Sequence, residues 1–124
     1  AREYSEFAYP PIHRLTVDAY AAQHPGMESR QSIQSVAIHL IGLYLWLERR
    51  LPAQQITVRI GEAVKRGGFY WLPPPVDLGP ITIQQIARAE SLDDHNFRVE
   101  EWAISVWHAW QLHANTVRRW AESS

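Results

Sequence analysis

The segment VAIHLIGLYLWL, residues 36–47, carries no charge and contains one histidine, His39. A helix built from this run is apolar nearly all round, so it belongs at the centre of the protein. A buried imidazole needs a hydrogen-bond partner, a ligand or a metal, because leaving it bare costs roughly 1–3 kcal/mol. The run therefore predicts a central helix with an internal polar site at His39.

This central helix is predicted to begin at Ser29 or Arg30 and to end at Arg50, because Pro52 stands just beyond. A row of polar or small residues shares one of its faces at spacings of four, four and three: Gln31, Ser35, His39 and Gly42. Such a row can line a cavity, with the glycine opening space. The alternative is that Ser35 simply hydrogen-bonds to His39 or to the backbone.

Other segments also carry helical signals. A first helix is predicted from Pro11 to Gln23, because His24–Pro25–Gly26 stops it. Thr82 and Gln85 resemble a capping box that opens a short helix from Ile83 to Ala89. Asp93 or Asp94 is predicted to cap a last, long helix that reaches Ala121.

The middle of the chain is less regular. Residues 56–64 fit a short helix, residues 56–60 also fit a strand, and Gly67–Gly68 ends that segment. The stretch FYWLPPP, residues 69–75, predicts an extended arm that packs over the core or, alternatively, closes over a pocket as a lid. Together the signals predict an all-α fold: a single domain, residues 1–124, forming a four-helix-like bundle with a short additional helix and a proline-rich loop.

Composition narrows the possible functions. The net charge is −1, which argues against a nucleic-acid partner, since phosphate binding needs a concentrated positive surface. The chain has no cysteine, so thiol catalysis and thiolate metal sites are excluded. The longest apolar run is about half of the ~20 residues that cross a bilayer, and no signal peptide is visible. We therefore expect a soluble, cytoplasmic protein without a membrane partner.

Three stretches resemble an uncharacterised family of small bacterial proteins of unknown function. They are HRLTVDAYAAQHPG (13–26), SVAIHLIGL (35–43) and WAISVWHAW (102–110), the last in a Trp/His-rich helix that continues through His113. Members of that family often carry an N-terminal extension with a cysteine pair, and many have two adjacent histidines where this chain has His113–Ala114. The resemblance covers most of the chain and implies an intracellular bacterial helical domain.

A metal centre is the leading expectation for the internal site. His39 and His113 both fall on faces that otherwise require hydrophobic residues, and helical bundles build metal sites from such inward-facing side chains. His13, or else His24, shares a stripe of the first helix and could supply the third ligand. Without cysteine, a Zn, Fe, Ni or Mn ion would suit these ligands and could activate a water for hydrolysis or group transfer on a small molecule.

Two alternatives stay open. In the first, no metal is needed: Asp18 orients an imidazole for acid/base chemistry, with His13 and His24 as further catalytic candidates. Asp18 also lies four residues after Arg14, and a surface ion pair would explain it as well. In the second, the protein is a non-catalytic ligand-binding or homodimeric interaction module, because the chain has six tryptophans and Trp107 lies off the main apolar face of its helix.

Overall fold

The structure is a computed structural model that describes residues 10–122, with side chains from Ile12 onward. Within this part of the chain there are six α-helices, one 3₁₀ turn and no β-strand. The all-α prediction is therefore confirmed. The elements in chain order are α1 (Pro10–Gln23), α2 (Arg30–Leu47), α3 (Ala53–Arg66), α4 (Ile83–Ile86), α5 (Leu92–Ala109), the 3₁₀ turn Gln111–His113 and α6 (Ala114–Glu122).

Helix α2 is the central element, as its apolar sequence predicts. Its N-terminus is capped by Ser29, whose side chain accepts a hydrogen bond from the Ser32 N–H. It buries eight residues and packs against α1, α3, α5 and α6. The helix ends at Leu47, three residues before the predicted Arg50, because Arg50 takes a left-handed backbone conformation with φ 52° and the Leu51 N–H turns back to the Leu45 carbonyl.

Helix α1 covers one side of α2. Its apolar stripe, which includes Leu15, Ala19 and Ala22, is fully buried against α2 and α5. The small side chains at positions 19 and 22 let the neighbouring helices approach closely. The predicted bounds, Pro11 to Gln23, agree with the structure to within one residue.

The last predicted helix is two helices. Ser91, and not Asp93 or Asp94, caps α5, because its side chain accepts the Asp94 N–H. The helix then breaks at Trp110, whose N–H is shared between the Val106 and Trp107 carbonyls. The Trp110 ring is fully buried and donates its Nε1–H to the Ala22 carbonyl at 3.0 Å. The break lets α6 turn onto α2 and α3, which a continuous helix to Ala121 would not reach.

The ambiguous middle segment is a helix, α3, so the strand alternative for residues 56–60 is wrong. It presents a narrow apolar face, with Ile56 and Ala63 buried. The short helix α4 ends at Ile86, earlier than the predicted Ala89, while its capping box is present: the Thr82 N–H donates to Gln85 Oε1 at 2.8 Å.

The proline-rich arm packs on the end of the molecule formed by α6. Leu72 is buried, and the rings of Phe69 and Tyr70 lie about 5 Å from the Trp120 ring. The Pro73 carbonyl accepts a hydrogen bond from His113. These contacts match the interpretation of the arm as a clamp over the core.

Trp107 lies off the main face of α5, yet α2 of the same chain covers it. Its ring packs beside Tyr44, and its Nε1–H donates to Glu48 Oε2 at 2.7 Å. Arg118 also donates to the Glu48 carboxylate. Trp107 is thus covered by groups of its own chain. In the described range 10–122, none of the helices combines the length and apolar character needed to cross a membrane.

Candidate functional site

A partly buried polar contact joins α1 to α2. His39 Nδ1 lies 2.8 Å from Asp18 Oδ1, so the ring donates its Nδ1–H to the carboxylate. Asp18 is only 2% exposed, whereas the His39 side chain is 20% exposed. Because the carboxylate takes the proton-bearing Nδ1, the other ring nitrogen, Nε2, is the one left to act as base or ligand.

Gly42 makes room for the Asp18 carboxyl group. A Cβ atom built on Gly42 would overlap Asp18 Oδ2 and would lie 2.7 Å from Asp18 Cγ. Gly42 is three residues after His39, so it stands one turn along the same face of α2. The spacing of His39 and Gly42 therefore creates a slot in which a carboxylate from α1 can reach the imidazole.

Beside this pair lies a cavity of about 310 Å³ between α1, α2 and α3. Its volume is at the lower end of the range for small-molecule sites. Its walls combine ionisable and aliphatic groups. Besides Asp18 and His39, it is lined by His13, Arg14, Val17, Ile38 and Ile60.

Burial is the largest influence on the ionisation of Asp18. It raises the pKa of the Asp18 carboxyl above its ordinary value, although the hydrogen bond from His39 and the charges of His39 and Arg14 favour the ionised form. Among residues 10–122, Asp18 Oδ2 has no hydrogen-bond partner, and Arg14 Nη1 is 4.0 Å away. That separation is too long for a hydrogen bond. The carboxylate is therefore anchored through Oδ1.

The raised pKa of Asp18 has a consequence for stability. Between the unfolded value of about 3.9 and the higher folded value, the folded state binds the proton more tightly, so lowering the pH favours folding. This contribution is complete below the unfolded pKa and is lost as the pH rises through the folded pKa. The prediction compares the variant His39→Gln, which keeps Asp18, with the double variant His39→Gln/Asp18→Asn, which lacks this titrating group. As the pH is lowered from 7 toward 4, we expect the free energy of unfolding of the first to rise relative to that of the second.

Urea unfolding at a series of pH values measures this difference. The His39→Gln background removes the facing imidazole, so only Asp18 differs in titration between the two proteins, and Arg14 keeps its charge throughout. A difference that stays constant with pH, or that shrinks on acidification, would contradict a raised pKa at Asp18.

The structure separates the candidate histidines. His13 is exposed and lines the cavity with His39. His24 is exposed, donates its Nδ1–H to the Tyr20 carbonyl at 2.9 Å and stacks on the Tyr20 ring. His113 is half-buried and donates its Nε2–H to the Pro73 carbonyl at 2.8 Å. Thus His13 shares the cavity with Asp18 and His39, whereas His24 and His113 make contacts elsewhere.

The three histidines expected to bind a metal together are His39, His113 and His13. His113 is not among the described residues that line the cavity. Across residues 10–122, no three His, Asp or Glu side chains are grouped so that they could hold a metal ion. The ionisable side chains that line the cavity besides Arg14 are the His39 imidazole, the Asp18 carboxylate bonded to it and a second histidine, His13.

The tertiary structure shows which of the two sequence interpretations of Asp18 applies, the imidazole-orienting carboxylate or the surface ion pair with Arg14. The spacing of Arg14 and Asp18 is compatible with a surface ion pair, but Asp18 is buried and its hydrogen bond goes to His39. Arg14 reaches across to α3 instead, where its Nη2 donates to Thr57 Oγ1 at 2.9 Å. The i, i+4 spacing of His13 and Val17 is the sequence signal that places these two side chains on the cavity-facing side of α1.

The chain belongs to the DUF5946 family, a family of unknown function, whose profile matches residues 1–111. This bears out the resemblance to an uncharacterised family. Comparison with curated proteins and with solved structures gives no match.

Proposed function

We propose that the protein is a small-molecule enzyme, hydrolytic or group-transferring, in which His39 is the general base and Asp18 orients it. The observation that carries this proposal is the 2.8 Å hydrogen bond from His39 Nδ1 to the carboxylate of Asp18, which is almost wholly buried. Both residues line a cavity large enough for a small ligand. A carboxylate on Nδ1 fixes the tautomer and stabilises the imidazolium that forms when Nε2 takes a proton.

The chemistry follows from the position of each group. His39 Nε2 removes a proton from water or from a substrate hydroxyl as that oxygen attacks the substrate, and the ring later returns the proton to the leaving group. Asp18 is a positioning residue, because it acts through the imidazole. The aliphatic side chains of Val17, Ile38 and Ile60 hold the substrate and exclude water from one side of the site.

The test combines turnover with a direct measurement of the imidazole. A panel of chromogenic esters, amides and phosphate esters is assayed with the wild type and with His39→Gln, which is expected to lower kcat by about 10²–10⁴-fold. His108→Gln is the matched control, because His108 is exposed on α5 and does not line the cavity. Nitrogen NMR of His39 is expected to report the Nδ1–H tautomer.

For Asp18→Asn, we expect a smaller loss of kcat and a changed pH profile, since the amide oxygen can accept the Nδ1–H bond but carries no charge. Turnover that survives His39→Gln, or an Nε2–H tautomer in the wild type, would refute the proposal. Ligand binding without turnover of any panel member would assign the protein to the binding modules instead.

A metal-dependent enzyme is the second candidate, and a specific observation favours it. Histidines that bind metals usually donate their other ring N–H to a carboxylate or carbonyl, as His39 does to Asp18. His13 lines the same cavity and could be a further ligand. Elemental analysis of untagged protein distinguishes the two mechanisms. Stoichiometric Zn, Fe, Ni or Mn that is kept in His108→Gln and lost in His39→Gln would support the metal-dependent mechanism over the metal-free one.

A further inference from the structure

We propose that the ligand of this cavity is a small organic anion, a carboxylate with a short apolar body, whose acid group is bound by Arg14. The inference deepens the proposed function and rests on the same cavity. It concerns the class of substrate, and it depends on Arg14 rather than on proton transfer at His39.

The distribution of charge in the cavity favours an anion. The acidic residue of its described wall, Asp18, is buried and is already hydrogen-bonded to His39. Arg14 is a permanent cation with a side chain that is 27% exposed. An entering ligand therefore meets a guanidinium and imidazoles, while the Asp18 carboxylate is withdrawn from contact.

One hydrogen bond holds the Arg14 side chain in place, and several of its N–H donors are not used by that bond. Its Nη2 donates to Thr57 Oγ1 at 2.9 Å, and the Thr57 hydroxyl in turn donates to the Ala53 carbonyl at 3.2 Å. Its Nη1 remains 4.0 Å from Asp18 Oδ2. A guanidinium has five N–H donors in a planar fork that matches a carboxylate, so donors remain for a ligand after the bond to Thr57.

The rest of the wall is suited to an alkyl or similar body. Val17 is 41% exposed, and Ile38 and Ile60 are half-buried, so aliphatic surface is open to the cavity. Burying it against a ligand removes apolar area from water. A small acid with an apolar body thus matches both parts of the wall.

A second arginine supplies the matched control. Arg30, with Gln31, Gln34 and Ser35, lines a neighbouring hollow on α2 that shares Ile38 with the cavity. The substitutions Arg30→Gln and Arg14→Gln remove the same charge, but only the second removes it from the wall beside His39. A long-range effect of charge would weaken anion binding in both variants alike.

The experiment titrates wild type, Arg14→Gln and Arg30→Gln with butanoate, butan-1-ol and butylamine, and follows the His39 imidazole and the Ile38 and Ile60 methyl resonances by NMR. We expect saturable shifts with butanoate, a Kd at least tenfold weaker in Arg14→Gln, and a Kd within twofold of wild type in Arg30→Gln. Butan-1-ol and butylamine are expected to give no saturable shifts.

Arg14→Lys guards against a variant that loses its fold. It keeps the charge but not the planar fork, and it is expected to bind butanoate with intermediate affinity. The proposal is overturned if butanoate binding survives Arg14→Gln, if Arg30→Gln weakens it equally, if the alcohol or amine binds as tightly, or if butanoate gives no saturable shift. The proposed general base would survive these results, since its test is turnover in His39→Gln.

Discussion

Replacing Trp110 with alanine is expected to lower the free energy of unfolding by about 3–5 kcal/mol, the usual cost of truncating a large core aromatic. Trp110 is fully buried where α5 ends, and its indole N–H satisfies the Ala22 carbonyl of α1. The substitution opens a cavity and leaves that buried carbonyl without its donor. Because domains of this size are stable by only about 5–15 kcal/mol, a substantial unfolded population is expected on mild warming.

Urea and thermal unfolding measure this loss. Leu112→Ala is the control: Leu112 is 88% exposed in the adjacent 3₁₀ turn, so its truncation is expected to change stability by no more than about 0.5 kcal/mol. If Trp110→Ala were as stable as Leu112→Ala, the described junction of α5, α6 and α1 would be wrong. Trp110→Phe should fall between the two, because it fills much of the volume but loses the hydrogen bond.

The second large effect is expected at Gly42. A Cβ atom there overlaps the Asp18 carboxylate, so Gly42→Ala must push α1 away from α2 or rotate Asp18 out of its slot. Overpacking of this kind typically costs about 1–3 kcal/mol, and over most of that range it outweighs the roughly 1 kcal/mol that alanine gains over glycine in a helix. The Asp18–His39 bond should be lost as well, with a change of the His39 tautomer seen by nitrogen NMR.

Gly61→Ala is the matched control within α3, since no atom of the described residues would lie within 4 Å of a Cβ added at Gly61. It is expected to stabilise the protein by about 0.5–1 kcal/mol. The double variant Gly42→Ala/Asp18→Ala should recover much of the loss, because removing the carboxylate removes the clash. A Gly42→Ala protein as stable as Gly61→Ala, with the Asp18–His39 bond intact, would contradict the close approach.

Local sequence accounts for most of the helices. The apolar run around His39 places α2 at the centre because hydrophobic side chains on every face can be satisfied only by neighbours on every side. His24–Pro25–Gly26 ends α1 through the backbone restrictions of proline and glycine. These effects act within a few residues, so they can be read without knowledge of the fold.

Helix ends that depend on distant contacts could not be read in this way. Helix α5 breaks at Trp110, where the indole ring is buried and donates a hydrogen bond to Ala22 of α1, 88 residues earlier in the chain. The early end of α2 depends on Arg50, which adopts a left-handed backbone conformation although it is not a glycine. At Trp110, tertiary packing outweighs a helical periodicity that continues through the break, whereas α2 ends in a local turn that is closed by the Leu51 N–H on the Leu45 carbonyl.

In the candidate site, too, some features follow from the spacing along one helix and others depend on how the helices pack. Helical spacing alone predicts that His39 lies in an apolar helix and that Gly42 opens space on the same face. Three contacts become visible once the helices are packed: His39 donates to Asp18, Arg14 donates to Thr57 on α3, and His113 donates to the proline-rich arm. Which side chains meet across helices is set by how the helices pack, and the pattern along one helix carries no record of its neighbour's register.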